Sequence, residues 1–367
     1  MPPMSQVSFE YSFPALRGLQ SGREYFVSMC PLELVPKLFH FDDEELTPEL
    51  RAQRTLNERR VPAIASYIYQ NPDSYVFSAL TASIDGATRF EPVENRGVES
   101  DLGTLHVSMA SRFIINDGQH RRAAIEVALR ERPELAKESI AIVFFVDPGL
   151  ERCQQMFADL NRYVVRPSQS LGVLYDHRDD DADVSRAVAM NSRAFQGVVE
   201  MEKSTLSRRS RKLFTLSAIH GATHALLHDV AIGDQERRTS IALGFWDAVS
   251  RHMPEWQLVR DRRLSAGEVR TEYIHTHGIV LQALGRVGNA MQIGAADWAK
   301  PLAALQSIDW TRANADLWEG RAMIGGRVSK SRRSILLTSA AIKHALHMEL
   351  TDDEAREEQR FEEDGSA

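Results

Sequence analysis

The fold of this chain is decided by residues 113–126, which read FIINDGQHRRAAIE. A short apolar run leads into the tight turn Asp117-Gly118, and a helical pattern begins at once. The N-terminus of a helix presents unpaired N–H groups and the positive end of the helix dipole, and a glycine lets an anion approach the backbone. This strand, turn and helix therefore predict a phosphate-binding turn.

Three cationic or potentially cationic side chains follow the turn. His120, Arg121 and Arg122 fall in the first turn of the helix, where the dipole disfavours cations unless something negative is bound. A bound phosphate would convert this local conflict into a site. In the alternative interpretation, Asp117 caps the helix and the arginines form ion pairs within the protein. Spacing alone does not separate the two.

Strand and helix signals alternate through the first half of the chain. The stretch 85–103 is typical of a loop. Helices are expected at 61–68 and 119–132, and strands at 75–84, 105–109, 112–116 and 140–146. This pattern predicts an α+β or α/β-like unit.

The second half of the chain is predicted to be mainly helical. Amphipathic patterns run through residues 150–160, 184–199, 213–227, 241–249, 273–287 and 335–350. We expect one domain over 1–175, a mainly helical domain over 176–350 and an acidic flexible tail over 351–367, with the charged stretch 176–181 as the connection. Most of the tryptophans, which all lie in this half, are expected in the core.

The location of the charge matters more than its sum. The chain carries a net charge of −7, but residues 351–367 contain eight acids and two bases, so the tail carries −6 and the body only −1. A near-neutral body with local basic patches is compatible with DNA binding. The chain has two cysteines and no apolar run long enough to span a bilayer, which excludes a four-cysteine cluster within one chain and predicts a cytoplasmic protein without a membrane partner.

The motif at the turn resembles that of a known family. Residues 117–121, DGQHR, are the signature after which the DGQHR proteins of the DNA sulfur-modification (DndB) family are named. The turn is also similar to the phosphate loop of the ParB/sulfiredoxin fold. The resemblance to that fold covers about residues 50–175. Other stretches that resemble the DndB family are residues 53–59 (QRTLNER), 144–147 (FFVD), 203–214 (KSTLSRRSRKLF) and 274–279 (IHTHGI).

The resemblance implies a fold and a site. It implies a ParB/sulfiredoxin-like mixed sheet in an N-terminal domain, and a bound nucleotide, ATP or another nucleoside triphosphate, with Mg²⁺ as a further candidate. Gln119, His120 and Arg121 would be the candidate catalytic residues. The implied phosphate-binding residues are Gln53, Arg54, Asp117, Gly118, Gln119, His120, Arg121 and Arg122, and the implied metal ligands are Asp159 and Asn161.

Departures from these relatives limit the chemistry. Gln119 stands where sulfiredoxin has its nucleophilic cysteine, so the repair of sulfinic acids is not expected. The glutamate–asparagine pair of ParB is matched only in part, by Asp159 and Asn161. Any reaction would be phosphoryl transfer or hydrolysis.

Two basic segments support the DNA partner that the resemblance implies. Neutralisation of phosphates by lysine and arginine is the sequence-independent part of DNA affinity, although a single such run is often only a solvated face. The first segment contains Lys203, Arg208, Arg209, Arg211 and Lys212, and the second contains Arg327, Lys330, Arg332 and Arg333.

Histidines raise a separate question of metal binding. His220, His224 and His228 repeat every four residues, which brings them close to one helix face, as zinc ligands require. No carboxylate-bearing metal motif accompanies them, and apolar residues are interleaved. Half-buried packing is the favoured interpretation, for these three and for His275 and His277.

Three functions are compatible with these observations. The favoured one is a DNA-binding regulator or accessory protein of DNA phosphorothioate modification, acting as a repressor on the promoter of its own operon. The second is a nucleotide-hydrolysing enzyme stimulated by double-stranded DNA. The third is a non-catalytic adaptor that binds the sister modification proteins; a homo-oligomer is compatible with each.

Overall fold

The chain folds as two compact units, residues 1–165 and 166–367. The computed structural model describes residues 9–39, 60–94, 97–146, 155–156, 159–160, 167–229, 234–291 and 298–365. Gln53, Arg54 and Asn161 of the predicted site lie outside these ranges. Residues 176–181, expected as the connection between domains, join two helices inside the second unit.

The first unit is built on a mixed sheet of seven strands in the order β4-β5-β1-β2-β7-β3-β6. Strands β3 and β7 are parallel, and the other neighbours are antiparallel. The strands are β1 (Glu10–Gln20), β2 (Arg23–Pro31), β3 (Leu80–Asp85), β4 (Thr88–Pro92), β5 (Leu102–Ser108), β6 (Arg112–Asp117) and β7 (Ser139–Val146).

Short helices cover the apolar face of this sheet. Alternate residues of β7, namely Ile140, Ile142 and Phe144, are buried, as the period of a strand requires. The α-helices of the described part are α1 (Val35–Leu38), α2 (Val61–Gln70) and α3 (Gln119–Glu131), and 3₁₀ turns lie at Leu32–Leu34, Val98–Asp101 and Pro133–Lys137.

The α+β expectation is confirmed, with differences in detail. The hairpin β1–β2 was not predicted; its two-residue turn, Ser21-Gly22, has positive φ at both positions (51° and 73°), which suits the twist of the strands. The strand expected over 75–84 begins only at Leu80, and the loop expected over 85–103 contains β4. These strands pair with distant segments, which local patterns do not reveal.

The second unit is mainly helical, as predicted. Its helices are α4 (Gln169–Tyr175), α5 (Asp180–Asn191), α6 (Leu216–Leu227), α7 (Gln235–Ser250), α8 (Pro254–Arg260), α9 (Ala266–Glu272), α10 (Gly278–Ala290), α11 (Ala299–Leu302), α12 (Ala315–Trp318), α13 (Arg332–Ala345) and α14 (Asp352–Gly365). A 3₁₀ turn covers Ala303–Ser307, and the strand pairs are β8 (Val199–Glu200) with β9 (Phe214–Thr215) and β10 (Met323–Ile324) with β11 (Arg327–Val328).

One core, centred on α6, α7 and α10, holds this unit together. All five tryptophans, Trp246, Trp256, Trp298, Trp310 and Trp318, are buried, which confirms their predicted packing role. None of the helices within the described residues is both long and apolar enough to cross a bilayer.

The acidic C-terminal segment is ordered, so the expectation of a frayed, solvated end is wrong for α14. Glu354 is fully buried and bonds Lys343, while Glu358 is 6% exposed and pairs with Arg321 at 2.9 Å. Arg321 also lies 4.3 Å from the ring centroid of Phe361. Helical spacing brings 354, 358 and 361 to one face, which a count of charges does not register.

Candidate functional site

The DGQHR turn has the predicted strand–glycine–helix geometry. Strand β6 ends at Asp117, and Gly118, with φ of +107°, precedes the first residue of α3. A Cβ at 118 would lie 2.4 Å from the side chain of Leu80, so both conformation and space favour glycine. Gly118, at the N-cap, makes no side-chain cap among the described residues, and the first backbone bond of the helix is from Arg122 N–H to the Gly118 carbonyl. Within the described ranges, the first-turn N–H groups thus have no side-chain cap from the N-cap position.

The arginines of the motif make contacts within the protein. The guanidinium of Arg121 donates to the carbonyls of Ser78 (2.7 Å) and Ala79 (3.0 Å) and to the carboxylate of Asp117 (2.6 Å). Arg122 is 7% exposed and pairs with Glu126 at 2.5 Å. These are the contacts of the alternative interpretation, in which the arginines form ion pairs.

The other predicted residues of this site are placed as follows. Gln119 is buried and its side chain donates to the carbonyl of Ile115 at 3.4 Å. Burial, with a further contribution from the charge of Arg60, lowers the pKa of His120 below 6.5, so its imidazole is mostly neutral at pH 7. Asp159 is exposed and accepts a hydrogen bond from Gln155 at 2.8 Å.

The basic segment 203–212, which we call the basic loop, carries five cations. Lys203, Arg208, Arg209 and Arg211 are exposed, whereas Lys212 is half-buried and donates to the Gly197 carbonyl at 2.9 Å. No ion pair joins these five side chains to an acid within the described ranges.

Arg270 of α9 holds the backbone of the basic loop. Its guanidinium donates to the carbonyls of Ser207 (2.7 Å), Ser210 (3.2 Å) and Arg208 (3.3 Å), and to that of Lys212. One planar guanidinium group thus holds four carbonyl groups of a segment without regular secondary structure. The loop cations therefore stand on an ordered backbone.

The second basic segment is partly neutralised. Arg332 pairs with Asp353 at 3.4 Å, and Arg333 pairs with Asp364 at 2.7 Å and with Glu357 at 3.4 Å. The acids all belong to α14. Arg327 and Lys330 are exposed and form no ion pair within the described ranges.

The histidines have separate partners. His220 contacts Ser185 (3.2 Å), His224 contacts Asp181 (2.6 Å), and His228 contacts Asp229 (3.0 Å). The buried His275 accepts from the indole N–H of Trp256, so its Nε2 carries the proton and donates to Glu255. Where the chain is described, no group of three or more histidine, cysteine or acidic residues is placed to hold a metal.

Sequence reasoning missed a cavity of about 660 Å³ in the second unit. Its lining includes residues 204–206 with Arg208, residues 276–279, and Arg270, Arg312 and Lys330. The signal was present, since both stretches belong to segments that resemble the DndB family. The two stretches are about seventy residues apart, and nothing in the sequence indicated that they lie together.

The comparison with family models identifies the family of this chain. The family model DndB, described as DNA-sulfur modification-associated, matches residues 13–349. The chain belongs to this family. Comparisons with curated proteins and with solved structures gave no match.

Membership in the DndB family ties the chain to DNA and to the DNA sulfur-modification system. The match includes the DGQHR turn, the basic loop and the cavity, and it ends just before α14. It does not by itself assign a role to any residue.

The contacts of Arg121 predict a structural effect that can be measured. Replacing Arg121 with glutamine is expected to lower the free energy of unfolding by about 1–2 kcal/mol, because charge-assisted hydrogen bonds to partly exposed acceptors are lost. Urea unfolding followed by circular dichroism measures it. The matched control in the same helix is Arg130→Gln: Arg130 is exposed and pairs only at the surface, so a change below about 0.5 kcal/mol is expected. Equal stabilities for the two variants would contradict the structural role of Arg121.

Proposed function

We propose that the protein is a DNA-binding regulator of DNA phosphorothioate modification, and that it represses the modification genes by binding the promoter of its own operon. The observation that carries the proposal is the basic loop, with five cations, no acid and a backbone held by Arg270. Membership in the DndB family supports the choice of DNA as the polyanion.

A duplex phosphate backbone is the ligand that such a loop suits best. Lysine and arginine side chains that neutralise phosphates release condensed counterions, which makes the affinity fall steeply with salt. The four exposed cations of the loop have no internal acid to displace among the described residues, so their charge is available to a ligand. By contrast, Arg332 and Arg333 would first have to leave the acids of α14.

The DGQHR turn supplies a second element of the proposal. We infer that a phosphate, of DNA or of a nucleotide such as ATP, binds the first-turn N–H groups of α3, with His120 as a neutral hydrogen-bonding partner. Because Arg121 and Arg122 are engaged in ion pairs, backbone donors rather than guanidinium groups would hold it. An ATP-hydrolysing function would need in addition a divalent ion at Asp159, which the DNA-binding function does not require.

The salt dependence of DNA binding tests the role of the loop. We expect the triple substitution of Arg208, Arg209 and Arg211 by glutamine to reduce the log–log salt slope by up to about 2.7, since each lost phosphate contact removes about 0.9. The double substitution of Arg332 and Arg333 is expected to change it much less. Fluorescence anisotropy with a labelled promoter duplex at several salt concentrations provides the measurement.

The controls test the loop and separate a regulator from an adaptor. Glutamine substitutions at the exposed residues Arg237, Arg251 and Arg263, outside the basic segments, match the triple change in charge. If they reduce the slope as much as the loop substitutions do, the loop is not the DNA-binding surface. A regulator discriminates its promoter from a scrambled duplex, whereas an adaptor binds sister modification proteins with no salt-dependent affinity for DNA.

A further inference from the structure

The cavity of the second unit has the composition of an anion site. Of its lining residues, four are arginine or lysine, namely Arg208, Arg270, Arg312 and Lys330, and none is aspartate or glutamate. Hydroxyl groups add further donors, and the lining also contains the apolar residues Leu206, Phe214, Val328 and Ile335. A volume of about 660 Å³ is in the range of small-molecule sites.

Arg312 is a half-buried cation without a counterion among the described residues. One of its terminal nitrogens donates to the carbonyl of Arg270 at 3.1 Å and contacts Nε2 of His277 at 2.7 Å. Its Nε is buried and has no hydrogen-bond partner in the described part of the chain. The same Nε2 also lies 3.2 Å from the carbonyl of Arg270, which would require it to donate. Because a guanidinium only donates, the shorter contact with Arg312 makes Nε2 an acceptor and this imidazole neutral. In agreement, burial and the charge of Arg312 lower the pKa of His277 to about 4. His277 therefore orients Arg312 and leaves its positive charge uncompensated.

Thr276 is a second unsatisfied donor in the lining. It is 5% exposed, and its Oγ1 has no hydrogen-bond partner within the described structure. An unpaired buried hydroxyl costs free energy, which a ligand oxygen would recover. Immediately after it, α10 begins at Gly278 with no side-chain cap, so its first N–H groups and its dipole favour an anion at the same end.

We propose that this cavity binds the phosphate of a nucleotide, with Arg312, Thr276 and the N-terminus of α10 around the phosphate and the apolar lining residues available to the base. Lys330, an exposed residue of the lining, adds positive charge without an ion pair of its own in the described part of the chain. Arg270 is a positioning residue, because its guanidinium is committed to the carbonyls of the basic loop. The proposal goes beyond the proposed function, since Arg209 and Arg211 of the loop do not line the cavity.

The nucleotide is either free or part of DNA, and the chemistry recognised is the same. The experiment uses the full chain in phosphate-free chloride buffer, with pyrophosphate, ATP and deoxynucleoside monophosphates as probes in calorimetry, and with a duplex in anisotropy. The variants are Arg312→Gln and Thr276→Val, and Arg237→Gln is the matched control outside the cavity. We expect Arg312→Gln to weaken binding roughly 10- to 100-fold, as the loss of a charge-assisted hydrogen bond implies.

Thr276→Val distinguishes a ligand-binding role from a structural one. Because the hydroxyl is unpaired in the free protein, the isosteric valine is expected to leave the melting temperature unchanged or raise it, while ligand affinity falls. A lowered melting temperature with unchanged affinity would overturn the assignment of Thr276 to the site.

The outcomes identify the source of the phosphate. Binding of free probes that is weakened by both variants supports a free nucleotide. A failure of all free probes, with duplex affinity reduced by the same variants but not by Arg237→Gln, supports a nucleotide of DNA. No effect of the cavity variants on any probe overturns the proposal. Substitution of Arg209 and Arg211 alone tests the loop separately, because it should reduce the salt slope for DNA and leave the affinity for free probes unchanged.

Discussion

Replacing Lys343 with methionine is expected to lower the free energy of unfolding of the second unit by about 3–5 kcal/mol. Lys343 and Glu354 are 1% and 0% exposed, and the ammonium lies 2.6 Å from the carboxylate. The same carboxylate accepts from the hydroxyl of Ser339 (2.7 Å) and the N–H of Thr351 (2.9 Å). Methionine preserves the length of the side chain but leaves Glu354 as a buried charge whose only remaining ion-pair contact among the described residues is Arg286 at 3.6 Å.

The loss of unfolding free energy in Lys343→Met should depend on pH, and the pKa of Glu354 sets the direction. Burial alone would raise the pKa of Glu354, but the hydrogen bonds from Lys343, Thr351 and Ser339 hold it below its ordinary value of 4.5. Such a carboxyl contributes stability that is present above its unfolded pKa and is lost as pH falls through the folded pKa. In the Lys343→Met protein we expect burial to raise the pKa of Glu354, because the contribution of Lys343 is lost, so acid should relieve the buried charge. The difference between the two proteins should therefore begin to narrow above pH 4.5, as Glu354 of the variant takes up a proton, and should narrow further below 4.5, as the wild type loses its ion pair.

Tryptophan fluorescence during urea unfolding measures this effect in the relevant unit, because all five tryptophans belong to it. Lys300→Met is the control, since Lys300 is exposed, and a change below about 0.5 kcal/mol is expected. Replacing Lys343 by methionine and Glu354 by leucine together should recover part of the loss, as uncharged replacements of buried pairs do. A difference that widens in acid would show that Glu354 is not the group responsible.

Replacing Gly285 with alanine is expected to cost about 3 kcal/mol, the second large effect. Helices α6 and α10 approach so closely that a Cβ at 285 would lie 2.2 Å from the carbonyl oxygen of Ala222 and 3.2 Å from the backbone nitrogen of Leu226. Both obstacles are backbone atoms, so no side chain can rotate away. The helices would have to separate by several tenths of an ångström within the main core.

Gly221→Ala is the matched control on α6, and its expected effect on stability has the opposite sign. A Cβ at 221 would meet nothing within 4 Å, so the better helix propensity of alanine should stabilise the protein by about 0.5–1 kcal/mol. Urea unfolding followed by tryptophan fluorescence compares the two substitutions. If both stabilise the protein, the close approach of α6 and α10 is not present in solution.

Several features of this protein were determined by the sequence alone, because they depend on neighbours a few residues apart. The helix after Gly118, the strand before it and the helical second half were predicted from periodicity and turn residues, and each is confirmed. The DGQHR motif also identified the family correctly. In these cases the information is carried by adjacent positions of one element.

Only the tertiary structure decided which partner each charge has. Whether Arg121 faces a ligand or the carbonyls of Ser78 and Ala79 depends on a contact across about forty residues, and the sequence left both interpretations open. Glu354 and Glu358 were counted as solvated charge, yet each is buried against a cation on another element.

The cavity is the clearest case of this limit. Its cations, Arg208, Arg270, Arg312 and Lys330, come from four separate segments, and its unpaired donors belong to Arg312 and to Thr276, just before α10. No local pattern indicates that these segments meet. The hydrophobic effect is non-directional, so apolar residues need no particular partner atom. The period of apolar residues along one element is therefore enough to indicate its buried face. Ion pairs and hydrogen bonds instead require particular atoms within about 3 Å, and those distances arise only when the chain has folded.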